Sequence, residues 1–467
     1  MLAPEWVQDA IFYQIFPDRF ANGDPENDPA NVQPWGDKPN RWNYQGGDLR
    51  GIIDRLDYLL DLGVNAIYLN PIFHSSANHR YHTIDYYKID PFLGEIADFQ
   101  DLVRLAHQKG IRIILDGVLN HCGRGLFAFT SLLETGRHSP YRDWFHVNRF
   151  PLNAYTAGDA KNYKAWWDIK ELPKFNTANP QVRKYLFGMT RYWLEQGIDG
   201  WRLDVPNEID DDDFWAEYRE LVKTTNPDAY LVGEIWLLNA RWVNETHFDA
   251  LMNYPLRDAL IDPLDSHLGD FALLPETQDK LAAFYAPDDL RAAYNTLGSH
   301  DTKRVMTKVG GDLASAKLAF AALFAHPGAP AIYYGDEIGI SGGLDPACRA
   351  AFPWDELQWN HELRNWIQQL ASLRRANIAL RRGDFKRLHL SLPERTMVFE
   401  RRSEEQTIWI ALNYSEANSA WQSAIPGVGL APNTALRDLL SGDLFAPEGN
   451  LFDIALPPLT ARWLVPA

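Results

Sequence analysis

Short apolar runs recur along the chain at 10–16, 66–69, 111–115, 198–205, 230–235, 251–254, 295–297 and 331–334. Each is too short for a helix and is bounded by turn formers, so each reads as a buried strand. Between them lie segments whose apolar positions return every three or four residues. In 98–109, Phe99, Leu102, Val103 and Ala106 share one helical face, and Gly110 supplies the C-terminal cap. Helices are expected likewise over 52–62, from Pro180 onward behind the capping Asn179, and over 213–223, 315–324 and 362–375. Eight strands, each followed by a helix or loop, predict an α/β chain folded as a (β/α)8 TIM barrel.

The alternation breaks twice. From Cys122 to Asn179 there are many aromatics and turn residues but no period, which predicts a small inserted domain after strand three. Beyond residue 381, the runs 387–392, 396–401, 407–412 and 461–465 are β-rich and separated by turns, which predicts a C-terminal all-β sandwich. The expected organisation is a catalytic barrel over 1–121 and 180–381, an insertion over 122–179 and a β-sandwich domain over 382–467.

Composition narrows the partners. A formal net charge of −17 over 467 residues argues against nucleic acid and against an anionic membrane, and suits a neutral ligand. The apolar stretch 318–325 is far too short to span a bilayer, and 1–9 carries acids without an apolar signal core, so a cytoplasmic protein is expected. Two cysteines, Cys122 and Cys348, make no disulfide framework and read as reduced, buried thiols. Aromatics are abundant, with 17 Trp, 20 Tyr and 23 Phe, and flat rings stack on sugars as well as filling cores.

The polar residues gather where a barrel keeps its chemistry, at the C-terminal strand ends. Strand three ends in Asp116 followed by Asn120 and His121; strand four ends in Arg202 and Asp204. Strand five ends in Glu234 and Trp236, and strand seven in His300 and Asp301. Residues two apart on a strand face one side, so Arg202 can meet Asp204 and is expected to keep it charged. Glu234 sits between Gly233 and the apolar pair Ile235 and Trp236, surroundings that raise a carboxyl pKa. One ionised carboxylate beside one protonated carboxyl is what glycoside hydrolysis requires.

These four segments resemble the signature regions of the α-amylase family of glycoside hydrolases. The resemblance implies that Asp204 is the nucleophile, Glu234 the general acid/base and Asp301 the third acid at the cleavage site. It implies that Arg202, His121 and His300 are their companions, with Asp116 a structural acid. It also implies retention of configuration, with the two catalytic carboxyls about 5 Å apart. The segments 172–176 (Leu-Pro-Lys-Phe-Asn) and 78–86 are similar to those of the neopullulanase, cyclomaltodextrinase and maltogenic amylase group. By that likeness Tyr81 stacks under the sugar and His79 contacts it. Asp345 and Arg349 clamp the donor side, and Trp236 is the acceptor-side aromatic. Trp166, Trp167 and Phe175 are expected near the acceptor side.

The chain departs from the group's pattern at Leu237 and Leu238, where a polar residue is usual, at Pro206 and at His82. It also begins directly at the first barrel strand, without the group's N-terminal β domain, so the dimer built by that domain is not carried over and the oligomeric state stays open. The loop of Asn22, Asp24, Asn27 and Asp28, with the Gly46 carbonyl and Asp48, offers hard oxygen ligands at the spacing of the group's calcium site, and structural Ca2+ is expected there. The reading is a retaining α-glycoside hydrolase that cuts α-1,4 bonds of maltooligosaccharides, cyclodextrins and pullulan through a covalent glycosyl-enzyme. An exo-acting α-glucosidase or an α-glucanotransferase remains the alternative. A catalytically silent sugar-binding barrel is a remote one, since all three acids are present.

Overall fold

The computed structural model describes residues 3–267, 269–423, 434–449 and 451–467. The eight apolar runs lie side by side as parallel strands: β1 Phe12–Ile15, β2 Ala66–Leu69, β3 Arg112–Gly117, β4 Gly200–Leu203, β5 Tyr230–Gly233, β6 Ala250–Leu251, β7 Tyr294–Thr296 and β8 Ala329–Tyr333. Neighbours follow the chain from β1 to β6, and β8 then β7 lie on the other side of β1. A bridge between Met252 and Tyr294 brings the two ends together and closes a (β/α)8 barrel. Its interior is a packed core in which Phe12, Ala66, Tyr68, Ile114, Tyr230, Val232 and Tyr294 interdigitate. Gly200 is required where β4 approaches β5, because a Cβ there would lie 2.2 Å from the Tyr230 carbonyl oxygen.

Register sets the site. Asp116 on β3 pairs with Arg202 on β4, and Leu203 pairs with Gly233 on β5. Asp204 and Glu234 are each the next residue after that last pair, so they leave adjacent strands about one inter-strand spacing of ~5 Å apart.

Several expected elements differ in detail. The helix expected over 52–62 is two, Leu49–Asp54 and Leu56–Leu62, broken at Arg55, whose ψ of 7° leaves the helical range. The run 198–205 is strand only over Gly200–Leu203, because Val205 turns left-handed with φ 38°. Of the stretch 251–254 only Leu251 is strand, the end of the two-residue Ala250–Leu251, and Tyr254 opens the helix Tyr254–Ile261. Between β6 and β7 stand two further helices, Leu273–Phe284 and Pro287–Ala292, and after β2 a hairpin of Phe73–Ser75 with Thr83–Ile89.

The segment 122–179 carries one α-helix, Phe127–Thr135, and three single 3-10 turns, and is tied to itself and to the barrel by bridges pairing His121 with Lys174 and Phe145 with Phe175. The C-terminal part has a six-stranded antiparallel sheet, ordered Asp384–Ser391, Thr396–Arg402, Thr407–Asn413, Thr460–Pro466, Leu436–Asp438 and Leu444–Phe445. The pair Ser419–Ser423 and Phe452–Leu456 covers one face of it, enclosing Val398, Trp409, Trp421, Ile454 and Leu464. Met397, Phe399 and Ile410 point the other way and join the barrel's core. Among the described residues no helix is long and apolar enough to cross a membrane.

Candidate active site

The side chains at the strand ends form one buried network centred on Arg202. Its Nη1 donates to Asp116 at 2.9 and 3.0 Å and to Asp204 Oδ1 at 3.1 Å, while Nη2 lies 2.9 Å from Glu234 Oε2. Arg202 and Asp116 are each 1% exposed, so these ion pairs are not screened by water. The left-handed turn at Val205, costly for a β-branched residue, aims the Val205 amide at Glu234 Oε2 across 3.2 Å. Trp236 Nε1 donates to Glu234 Oε1 at 3.2 Å.

Burial pushes the Glu234 carboxyl up to about 7; Arg202 opposes the rise and the Asp301 carboxylate adds to it. The expectation that Arg202 alone keeps Asp204 ionised is corrected by the same geometry. One guanidinium serves Asp116, Asp204 and Glu234 together, so burial, with Glu234, Asp116 and Asp301 close by, lifts Asp204 well above the carboxylate range despite Arg202. The carboxyls titrate as a coupled set that keeps a proton into the neutral range.

Asp301 lies on the β7 loop, where its two oxygens meet His300 Nε2 at 3.0 Å and Arg349 Nη2 at 3.1 Å. Arg349 also holds Asp345 through Nη1 at 2.8 Å, which brings the two residues together beside Asp301. Gln14 Nε2 donates to His300 Nδ1 at 2.8 Å, which leaves the ring proton on Nε2, shared between Asp301 and Tyr81 Oη at 2.7 Å. Tyr81 in turn donates to Asp116 Oδ2 at 2.8 Å and lies parallel to His300, rings 8° apart. His121 Nε2 stands 3.9 Å from Asp204 Oδ2, and burial drops its pKa to about 3, so it is neutral. His79, also neutral through burial, accepts the Tyr81 amide on Nδ1 at 3.2 Å. Trp236 stacks on Tyr254 at 3.8 Å and 6°, which leaves its other face open. Trp166 stacks on His121, whereas Phe175 is 1% exposed and packs on Phe145. Both thiols are free and buried; Cys348 Sγ donates to the His300 carbonyl at 3.1 Å.

Four contributors were not singled out from sequence. Tyr68 donates to Asp116 at 2.5 Å, Asn70 donates to Tyr81 Oη at 3.0 Å, Gln14 orients His300, and Arg19 donates to the Arg349 carbonyl at 2.9 Å. Gln14 and Asn70 carried a readable signal, since one is the lone polar residue in an apolar strand and the other stands at a strand's C-terminal end.

The six oxygen-bearing residues of the expected calcium loop also come together. Asp48 accepts the amides of Gly23, Asp24 and Gly51, and Asn22 Nδ2 donates to Asp28 at 3.0 and 3.1 Å. Asn27 Nδ2 donates to Asp48 at 3.3 Å, and its buried Oδ1 has no hydrogen-bond partner. A Cβ on Gly46 would fall 2.1 Å from Asp28 Oδ1, so the backbone there borders the carboxylate directly. Among the described residues no group of three or more His, Cys, Asp or Glu is set to hold a metal ion; the donors here mix carboxylate, amide and carbonyl oxygens, a set that suits a hard cation.

Two adjacent carboxyls on neighbouring strand ends of a parallel barrel, one raised to about 7, are the apparatus of a glycoside hydrolase. Comparison with known proteins agrees. The model of the α-amylase catalytic domain matches residues 14–388. A cyclomaltodextrinase of Geobacillus thermopakistaniensis is 44% identical over 464 residues, which cover 98% of this chain and 76% of that protein. Neopullulanase 2 of Thermoactinomyces vulgaris is 42% identical, with 96% and 76% covered. Among solved structures, the cyclic α-maltosyl-(1→6)-maltose hydrolase of Arthrobacter globiformis superposes with a TM-score of 0.90 at 40% identity, covering 99% of this chain and all of that one. The chain belongs to the α-amylase family of glycoside hydrolases.

Proposed function

We propose that this enzyme is a retaining α-glucan hydrolase acting on α-1,4 bonds of short and cyclic maltooligosaccharides, with pullulan cleavage and transglycosylation through the same intermediate. The observation that carries the reading is the juxtaposition of Asp204 and Glu234 on one guanidinium, with a carboxyl raised to about 7. The relatives named cyclomaltodextrinase and neopullulanase support the substrate class.

In this reading the proton retained by the buried set sits on Glu234 once substrate is bound. The Asp204 carboxylate attacks the anomeric carbon, the bond to the leaving oxygen breaks, and Glu234 hands that oxygen its proton. Glu234, now ionised, takes a proton from water, or from an acceptor sugar hydroxyl. The new oxygen displaces Asp204, and configuration is retained overall. Asp301, with His300 and Arg349, grips hydroxyls of the reacting ring; His121 and His79 are neutral donors, Tyr81 supports the ring, and Asp345 holds Arg349. Trp236 offers its open face to the acceptor.

We also propose Ca2+ as a structural ion held by Asn22, Asp24, Asn27, Asp28, Asp48 and the Gly46 carbonyl. It would tie the β1 loop to the helix Leu49–Asp54. A cytoplasmic location fits two buried thiols kept free.

The test is a product profile from maltotriose, a cyclodextrin, pullulan and soluble starch. Rapid ring opening with slow attack on starch is expected. Glucose released from linear ends, with the ring untouched, would replace the reading with an exo-acting α-glucosidase.

A further inference from the structure

Of the chain's 17 tryptophans, three are exposed: Trp42 at 82%, Trp167 at 76% and Trp236 at 43%. All three sit on connections leaving the C-terminal ends of barrel strands, after β1, β3 and β5. An indole shown to water forgoes its burial, and exposure confined to the catalytic face marks a surface for a ligand with apolar faces of its own. Pyranose rings have such faces. Trp236 is proposed above for the acceptor side; among the described residues Trp42 stacks on no aromatic ring and Trp167 stacks only on Trp166, and neither has a part in the reaction described above.

The backbone that carries Trp42 is fixed by its neighbours' side chains. In the turn 40–43, Asn40 Oδ1 accepts the amides of Trp42 and Asn43 at 2.8 and 2.9 Å, and Asn43 Oδ1 accepts the Asn40 amide at 2.9 Å. The turn is tied to the donor side of the site by one cation. Arg19 donates through Nη1 to the Arg349 carbonyl at 2.9 Å and through Nη2 to the Asn43 carbonyl at 2.8 Å. Asn78, next to His79, donates to the same Asn43 carbonyl at 2.7 Å and to that of Asn40 at 3.2 Å. Trp42 therefore stands beside the Arg349 and His79 end of the cleft.

Trp167 is reached from the opposite side. His121, 3.9 Å from Asp204, stacks on Trp166 with rings 5.4 Å and 20° apart, and Trp166 stacks on Trp167 at 4.4 Å and 11°. The ladder runs from the nucleophile to solvent. It is held against backbone strain, since Trp167 and Asp168 take φ of 49° and 58° in succession.

We propose that Trp42 and Trp167 are platforms for glucosyl rings beyond the bond being cut. Trp42 serves the side of Arg349, Trp167 serves the side of His121, and together they favour maltooligosaccharides that reach past the cleavage site, such as maltoheptaose, over maltotriose. The inference rests on the α-glucan reading above.

The experiment compares kcat/KM for maltoheptaose with kcat/KM for maltotriose in wild type, Trp42→Ala, Trp167→Ala and the ring-keeping variants Trp42→Phe and Trp167→Phe. Loss of one stacked ring is expected to lower the ratio of long to short substrate about tenfold in each alanine variant. The phenylalanine variants are expected to recover most of it. A ratio equal to wild type in an alanine variant removes that platform, as does an equal fall on both substrates. A wild type that cleaves neither substrate defeats the α-glucan reading itself, and is told apart because no variant is needed to see it.

Discussion

Asp204 and Glu234 are held by the two terminal nitrogens of one arginine, at 3.1 Å and 2.9 Å from Arg202. Adjacent strand ends supply the separation, and the guanidinium supplies the charge that lets two buried acids coexist. This relationship makes the site's pH behaviour and its stability parts of one problem.

Glu234 must be protonated to act as an acid, and its pKa stands near 7 through burial. Turnover is expected to fall as pH rises through about 7, giving the alkaline limb of the kcat/KM profile. Glu234→Gln should lower kcat by about 10² to 10⁴ and remove that limb. A limb unchanged in the variant would assign the titration elsewhere.

The same raised pKa weakens the fold at high pH. The carboxyl's ordinary value is 4.5, so its contribution to stability is fully present below that value and is lost as pH climbs through about 7. Glu234→Gln fixes the neutral form. Its melting temperature should exceed that of wild type at pH 8 by more than at pH 5, as read by calorimetry. An equal difference at both pH values would contradict the coupling.

Arg202 opposes the rise in both Asp204 and Glu234, so Arg202→Met should raise both pKa values further and leave Asp116 buried without its cation. Breaking a buried pair on one side costs about 3–5 kcal/mol, which urea denaturation can measure. A loss under about 1 kcal/mol would mean that water enters the site far more freely than its burial implies.

For the calcium loop, chelator should lower the melting temperature of wild type. Asp28→Ala should melt at the chelated value and be insensitive to chelator. Asp28 suits the test better than Asp48, which also caps the helix Leu49–Asp54 through the Gly51 amide at 2.6 Å and would cost stability without any metal. A wild type with no chelator response would remove the ion from the account.

Far from the site, Arg374 and Arg401 are fully buried and donate to backbone carbonyls. Arg374 reaches Phe324 and Gly328, and Arg401 reaches Ala325 and Gly383, at the C-terminal end of the helix Leu313–Ala325 where it meets the C-terminal sheet. Burial lowers both pKa values, that of Arg374 to about 9. Arg401→Met should cost about 2–4 kcal/mol by orphaning those carbonyls, with KM unaltered. A variant as stable as wild type would show that the helix end is satisfied without it.

The barrel was legible because each strand is a short apolar run, and the acids at 116, 204, 234 and 301 stand at or just beyond the ends of four of them. Helices with a clear apolar face, such as Ile96–Gln108, were equally readable. The hairpin carrying His79 and Tyr81 was not, because its strands mix exposed and buried positions and are anchored by tertiary contacts; Arg80, 1% exposed, reaches Asp18 and Asp90. Nor could an i, i+2 rule reveal that Arg202 is shared three ways. That depends on strand register between β3, β4 and β5, which brings Asp116 and Glu234 to a cation that the sequence pairs only with Asp204.

The most direct measurement is the anomeric configuration of the first product, followed by proton NMR as the enzyme opens a cyclodextrin. Double displacement at Asp204 predicts the α-anomer first, with the β-anomer growing in only as fast as mutarotation. The β-anomer first would mean that water attacks directly, and the nucleophile assigned to Asp204 would be wrong.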